Sequence, residues 1–148
     1  DGRNLRQLTR GSFDDIEPTY LPCGGIMFCS SRANRWVNCW YTQVAVLHIC
    51  DADGGNIQPI SANIEHDNTP WMLPDGRVLY MRWEYVDRPA IPIQSLWSIN
   101  PDGTMLKGFF GNRVLDPATF VEGKTTAGDI SIFLGDQLTD IFELVTDQ

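Results

Sequence analysis

The run Glu65-His66-Asp67 sets an imidazole between two carboxylates, the residue types that acid–base chemistry requires. Four cysteines, Cys23, Cys29, Cys39 and Cys50, fall within one third of the chain. An even, clustered set suits one or two disulfides in an oxidising compartment. Cys29 and Cys50 also lie on apolar strand patterns, where a thiol serves as a small buried hydrophobe. A zinc centre fits less well, because no Cys-x-x-Cys pair exists and only His48 and His66 could complete the ligand set. There is no Cys-x-x-Cys-His for covalent haem attachment, no Gly-x-Ser-x-Gly and no glycine-rich phosphate loop opening a helix. Asp14, Asp15, Asp51 and Asp53 lack the ligand spacing of a calcium loop and read as turn residues. No catalytic, cofactor-binding or metal-binding residue is assigned on these grounds, and no cofactor is expected in this segment.

A second class of chemistry lies in two loops. "SRANRWVNCWYT" at 31–42 holds Trp36, Trp40 and Tyr41 beside Arg32 and Arg35, and "EYVDRPAIPIQ" at 84–94 holds Tyr85 and Arg88. Aromatic and arginine side chains on loops are the types that anchor protein interfaces. The alternative is that these aromatics only cover the outer edge of a sheet.

The elements that position these residues follow from an internal repeat. "IEPTYLPCGGIMFCSS" at 16–31 is a degraded copy of "NTPWMLPDGRVLYMRW" at 68–83, with Pro18, Leu21, Pro22 and Gly24 each 52 positions ahead of Pro70, Leu73, Pro74 and Gly76. "DGRNLRQLT" at 1–9 lies on "DGGNIQPIS" at 53–61 at the same offset of 52, and a third copy, "DGTMLKGFF", follows at 102–110, 49 further on. Two independent features sharing a period near fifty residues indicate a repeated supersecondary unit. Each period reads as four short strands rich in β-branched and aromatic residues. They span 16–21, 25–31, 42–50 and 56–61 in one unit, and 68–73, 77–83, 94–99 and 104–110 in the next. No sustained 3.6-residue apolar period runs through residues 1–112, so no helix is expected there. Asp75-Gly76 should join the first two strands of its unit, and Asp53-Gly54 and Asp102-Gly103 the last two, because Gly supplies positive φ and the Asp carboxylate bonds amides two residues on. Cys23-Gly24 replaces Asp-Gly in the earlier unit, which should weaken that turn and free Cys23 for a disulfide.

A four-stranded antiparallel sheet at this period is the blade of a β-propeller. The succession Asp67, Pro70, Trp71, Pro74-Asp75-Gly76, "HICDADGGN" at 48–56 and Leu8-Thr9 resembles the repeat of TolB-type (PD40, WD40-like) propellers over about 110 residues. "EHDNTPWMLPDGRVLYMRWEYVDR" together with "CSSRANRWVNCW" is similar to propeller domains of the hydrazine-synthase α-subunit-like class in large bacterial extracytoplasmic proteins. The resemblance implies an all-β, partial propeller of about three blade units. Residues 1–9 form the last strand of a preceding blade, 13–61 and 65–110 two blades, and 116–148 an incomplete blade or divergent tail. It places Glu65-His66-Asp67 where propeller repeats carry a polar tie between blades. It also implies a periplasmic or other extracytoplasmic location, although "DGRNLRQLTR" is no signal peptide.

In the tail, "DISIFLGD" at 129–136 lies on the second strand of the 65–110 unit, whereas 113–128 match nothing well. "TDIFELVTD" reads as a third strand, or, through Leu138, Ile141, Phe142 and Val145, as one face of a helix.

Function is expected to be that of a non-catalytic protein-interaction scaffold. The alternatives are a propeller part of a multidomain haem oxidoreductase, with haem supplied from elsewhere, and a propeller gating a hydrolase domain. With 11 basic against 19 acidic residues, a net charge of −8 and no basic run, nucleic acid is not an expected partner. No apolar run reaches the length of a membrane-spanning helix. The expected partner is another protein or the remainder of a longer propeller chain. A homodimer in which residues 1–9 of one copy complete the last blade of the other would make a six-bladed ring.

Overall fold

The computed structural model describes residues 2–85 and 94–110 with their side chains, and the backbone of 120–126, 129–134 and 142–145. The described chain is all-β apart from one 3-10 turn at Ser31–Ala33. Strands β1 (Asp15–Tyr20), β2 (Ile26–Ser30), β3 (Val46–Cys50) and β4 (Gln58–Pro59) form a four-stranded antiparallel meander. Strands β5 (Asp67–Met72), β6 (Val78–Trp83), β7 (Gln94–Ile99) and β8 (Lys107–Phe110) form a second of the same order. A third sheet has three strands, β9 (Phe120–Thr126), β10 (Asp129–Leu134) and β11 (Phe142–Val145), with β10 in the middle.

The repeat in the sequence is a repeat in register. Ile26 pairs with Cys50 as Val78 pairs with Ile99, and Tyr20 with Ile26 as Met72 with Val78. Positive φ recurs at matching positions: Gly24 and Gly76, Gly2, Gly54 and Gly103, Asn4, Asn56 and Met105, and Glu17 and Thr69. The last pair has a local cause. Pro18 and Pro70 have no N–H to give to the ladder, so β1 and β5 each bulge there, between Ile16 and Thr19 and between Asn68 and Trp71. The residue before each proline carries the bend, at φ 55° for Glu17 and 49° for Thr69. β9 has its own irregularity beside Phe120, one repeat further on. That strand lies in the stretch where the sequence matched nothing.

Backbone and side-chain bonds close the Asp-Gly turns. Leu73 N–H donates to the Arg77 carbonyl at 2.8 Å and Gly76 N–H to that of Leu73 at 3.0 Å, a three-residue loop whose Gly is left-handed at φ 87°. Asp75, Asp53 and Asp102 each accept the amide two residues on, at 3.0, 2.9 and 2.9 Å. The Cys23-Gly24 turn keeps the same two backbone bonds, each 2.9 Å, with a side chain that cannot supply the carboxylate bond. Over Phe142–Val145 the tail is a strand paired with β10, not a helix; Leu138 and Ile141, invoked for the helix, lie outside the described residues.

The core lies between the first two sheets. Leu21, Met27, Cys29, Ala45 and Leu47 on one face of the first meet Val78, Tyr80 and Ile99 of the second, with Met72 and Trp97 at the margin. The alternation is the period of two that a strand imposes. The reverse face of the second sheet, carrying buried Leu79, Met81 and Leu96, is the side opposite this core; β5, β6 and β7 all lie against β9.

Candidate interaction surface

In the segment linking the two sheets, 61–67, the polar residues Ser61, Asn63, Glu65 and Asp67 are buried, while Ala62 and Ile64 face solvent. Ser61 hydroxyl accepts the Leu47 amide at 2.9 Å and donates to Asp67 Oδ2 at 2.5 Å. Asn63 Nδ2 lies 3.1 Å from Asp67 Oδ1 and 2.9 Å from the Trp83 carbonyl. Asp67 N–H donates to the Ala45 carbonyl at 2.9 Å, and the Ala45 amide donates to His66 Nδ1 at 3.1 Å. This latch therefore ties the start of β3 to the start of β5. Burial carries the Asp67 carboxyl from 3.8 up to about 6, against the opposing pull of Ser61, Arg82, Asn63 and Arg35. Burial also lowers His66, opposed by the charges of Glu65 and Glu17. His66 stacks on Trp83, with ring centroids 5.9 Å apart.

The first aromatic loop is a hairpin mounted on this latch. Trp36 pairs with Gln43, Val37 N–H donates to the Thr42 carbonyl at 3.0 Å, and Val44 N–H to that of Arg35 at 2.8 Å. Its root is a buried cluster of Val37, Val44 and Val46, packed by Ala33 and Trp83. Arg35 Nη2 donates to the Asn63 carbonyl at 2.6 Å, and the Asn38 amide reaches Glu65 Oε1 at 3.4 Å. Glu65 is fully buried, and its Oε2 has no hydrogen-bond partner among the described residues. By contrast, Trp36, on the strand of the hairpin opposite Gln43, is 60 % exposed, and Trp40 and Tyr41 at the tip are 72 % and 97 % exposed. A strand-like hairpin with a fixed root thus presents three large aromatic side chains to solvent.

The structure separates the residues that the sequence grouped. Trp40 and Tyr41 share the hairpin tip with exposed Cys39, and Trp36 stands on the same hairpin. Arg35 braces the hairpin from below. Arg32 turns the other way, with Nη2 2.6 Å from Asp15 Oδ2 and its guanidinium 4.9 Å above the Phe13 ring. Tyr85 joins the hairpin root indirectly, stacking on Trp83 at 6.2 Å. Arg88 lies outside the described residues. All four cysteines are free thiols, Cys23 and Cys39 exposed and Cys29 and Cys50 buried. Burial, and then the charges of Glu17 and Asp67, push the Cys29 thiol far above its ordinary range. Among the described residues no three His, Cys, Asp or Glu side chains converge on a metal-binding arrangement. Sequence reading missed the brace formed by Asn38, Asn63 and Glu65; the available signal was the polar run Asn63 to Asp67, interrupted by Ile64 alone, ahead of the 68–73 strand.

No protein-family model matches this chain, and no curated protein matches it. The reading of the site rests on its own chemistry.

Proposed function

We propose that this chain is a segment of a β-propeller of the TolB-like kind and acts as a non-catalytic scaffold that binds another protein through the tip of the 35–44 hairpin. The observation that carries the binding is the exposure of Trp36, Trp40 and Tyr41 on a rigidly rooted turn. Aromatic side chains offer large contact area at small conformational cost, and interfaces concentrate their energy in such anchors. Soluble surfaces rarely group large apolar side chains without a use for them. The propeller reading is supported by the repeated four-stranded meander and its matching register. An extracytoplasmic location follows from the same family resemblance and belongs to this proposal.

The test is site-specific photo-crosslinking in the native host. A photoreactive residue at position 41 should give a discrete protein adduct, identified by mass spectrometry. The adduct should vanish when Trp36→Ala and Trp40→Ala are added, while a probe at exposed Asn4 should not give it. An adduct from both positions, or one indifferent to the two alanines, overturns the assignment.

A further inference from the structure

The hairpin that exposes three aromatic rings also shapes a cleft. Val37 and Val44 turn inward to the buried root, so Trp36, one place before Val37 on an extended strand, turns outward. Trp36, Trp40 and Tyr41 line one cleft of about 530 Å³, with Val37, Asn38 and Cys39 completing it. The root beneath packs on Trp83, and the hairpin bonds Asn63 and Glu65, so the cleft stands over the junction of the two four-stranded sheets.

The surroundings of the cleft suit a cation. An aromatic ring is negative over its faces, and a positive group close to a face is attracted to it. Among the described residues no cation uses these three rings: the guanidinium groups that lie over aromatic faces, those of Arg32 and Arg82, take Phe13 and Trp97. Arg35, next to Trp36 in the chain, is turned to the Asn63 carbonyl. On the buried side stands Glu65, whose Oε1 accepts the Asn38 amide at 3.4 Å and whose Oε2 has no hydrogen-bond partner among the described residues. An acceptor oxygen with unused capacity therefore lies behind Asn38, a residue of the cleft. The chain as a whole carries a net charge of −8, so its field draws positive groups in.

We propose that this cleft binds a guanidinium group, and that the partner's anchor at the hairpin is an arginine side chain held among Trp36, Trp40 and Tyr41. A guanidinium is planar and weakly hydrated, so it stacks on ring faces at a smaller desolvation cost than the compact ammonium of lysine. The inference rests on the hairpin reading given under the proposed function and supplies the chemistry of what the hairpin holds.

Calorimetric titration of the full chain tests it with two capped peptides of glycine and serine, one holding a single arginine and the other citrulline, which has nearly the same shape and no charge. The arginine peptide should bind in the millimolar range or tighter, about tenfold more tightly than the citrulline peptide. Trp36→Leu with Trp40→Leu keeps apolar bulk and removes two ring faces, and should bring the two peptides to equal affinity. Tyr20→Leu, at an exposed ring away from the hairpin, should leave the preference intact. Equal binding of the two peptides by the wild-type chain, an arginine preference that survives the paired leucines, or no binding of either peptide in the millimolar range overturns the proposal. A crosslinked adduct in the host together with equal peptide binding would sink the guanidinium site and leave the protein-binding reading. An arginine-selective cleft with no adduct would sink that reading and leave the site.

Discussion

The latch at Asp67 predicts an inverted pH dependence of stability. A carboxyl whose folded pKa stands above its unfolded one binds its proton more tightly in the folded state. Its contribution is therefore full below pH 3.8 and is lost as pH rises through about 6. The difference of about two units corresponds to about 3 kcal/mol at most. Groups facing Asp67 are Ser61 and Asn63 as donors and Arg82 and Arg35 as more distant positive charges; Cys29 and Tyr80 feel its charge and titrate well above this range. Asp75 and Asp102, whose pKa values are lowered by their turn partners, pull the opposite way at lower pH, so the wild-type curve alone is a mixture. The difference between wild type and Asp67→Asn isolates the latch. The amide removes the titration and sets its NH2 against either the Ser61 hydroxyl or the Asn63 amide, so the variant is less stable at pH 4. As pH rises to 8 the wild type loses its advantage, and the gap should close by up to about 3 kcal/mol. Urea unfolding followed by tryptophan fluorescence at five or six pH values reads this directly. A gap that stays constant, or widens with pH, would refute the argument, since either result requires that folding does not raise the Asp67 pKa.

Gly54→Ala should cost more than Gly24→Ala, which has open space around it and loses only the freedom of a left-handed glycine, about 1 kcal/mol. At Gly54 the methyl must also displace the Leu8 carbonyl, so limited proteolysis should release residues 2–9 from that variant first. Cys23→Asp should stabilise by about 0.5–1 kcal/mol in urea unfolding, by restoring the carboxylate-to-amide bond of the other turns. Maleimide labelling of the native chain should modify Cys23 and Cys39 rapidly and Cys29 and Cys50 only on unfolding; equal rates at all four would contradict the burial pattern. Arg35→Ala should speed amide exchange across 36–43 and leave β6 protected, because it cuts one brace of the hairpin without touching the core.

How far the sequence could be read depended on the kind of constraint at each place. Where Gly and Asp are imposed by backbone geometry, as at Asp53-Gly54, Asp75-Gly76 and Asp102-Gly103, the residues name their own turn and the strands on either side follow. Pro18 and Pro70 showed the repeat, although the bulges they force emerge only from register. β9 was illegible because "FVEGKTT" lacks a clean apolar alternation and carries a glycine in its middle, while a strand needs only a pleated, partly buried surface. At the candidate site the aromatic tip was legible from residue type alone. The division of labour among the arginines was not. Arg32 and Arg35 stand three residues apart in one loop, yet one bonds Asp15 and the other Asn63, partners 17 and 28 positions away.

In the run Glu65-His66-Asp67 the imidazole and the Asp67 carboxylate have separate partners. A base and the carboxylate that orients it must touch, and residues adjacent on an extended backbone point to opposite sides. His66 accordingly stacks on Trp83 and accepts an amide, while Asp67 accepts from Ser61 and Asn63. Nδ1 is occupied by the Ala45 N–H, so the imidazole is held in the one neutral form that leaves this nitrogen unprotonated. Burial lowers its affinity for a proton and raises that of Asp67, which pushes both groups towards the neutral state. An imidazole and a carboxyl each bonded to partners of its own, rather than to the other, make a joint. The same segment carries, through Asn63 and Glu65, the two bonds that hold the aromatic hairpin, so the polarity that looked catalytic in sequence sets where the exposed tryptophans stand.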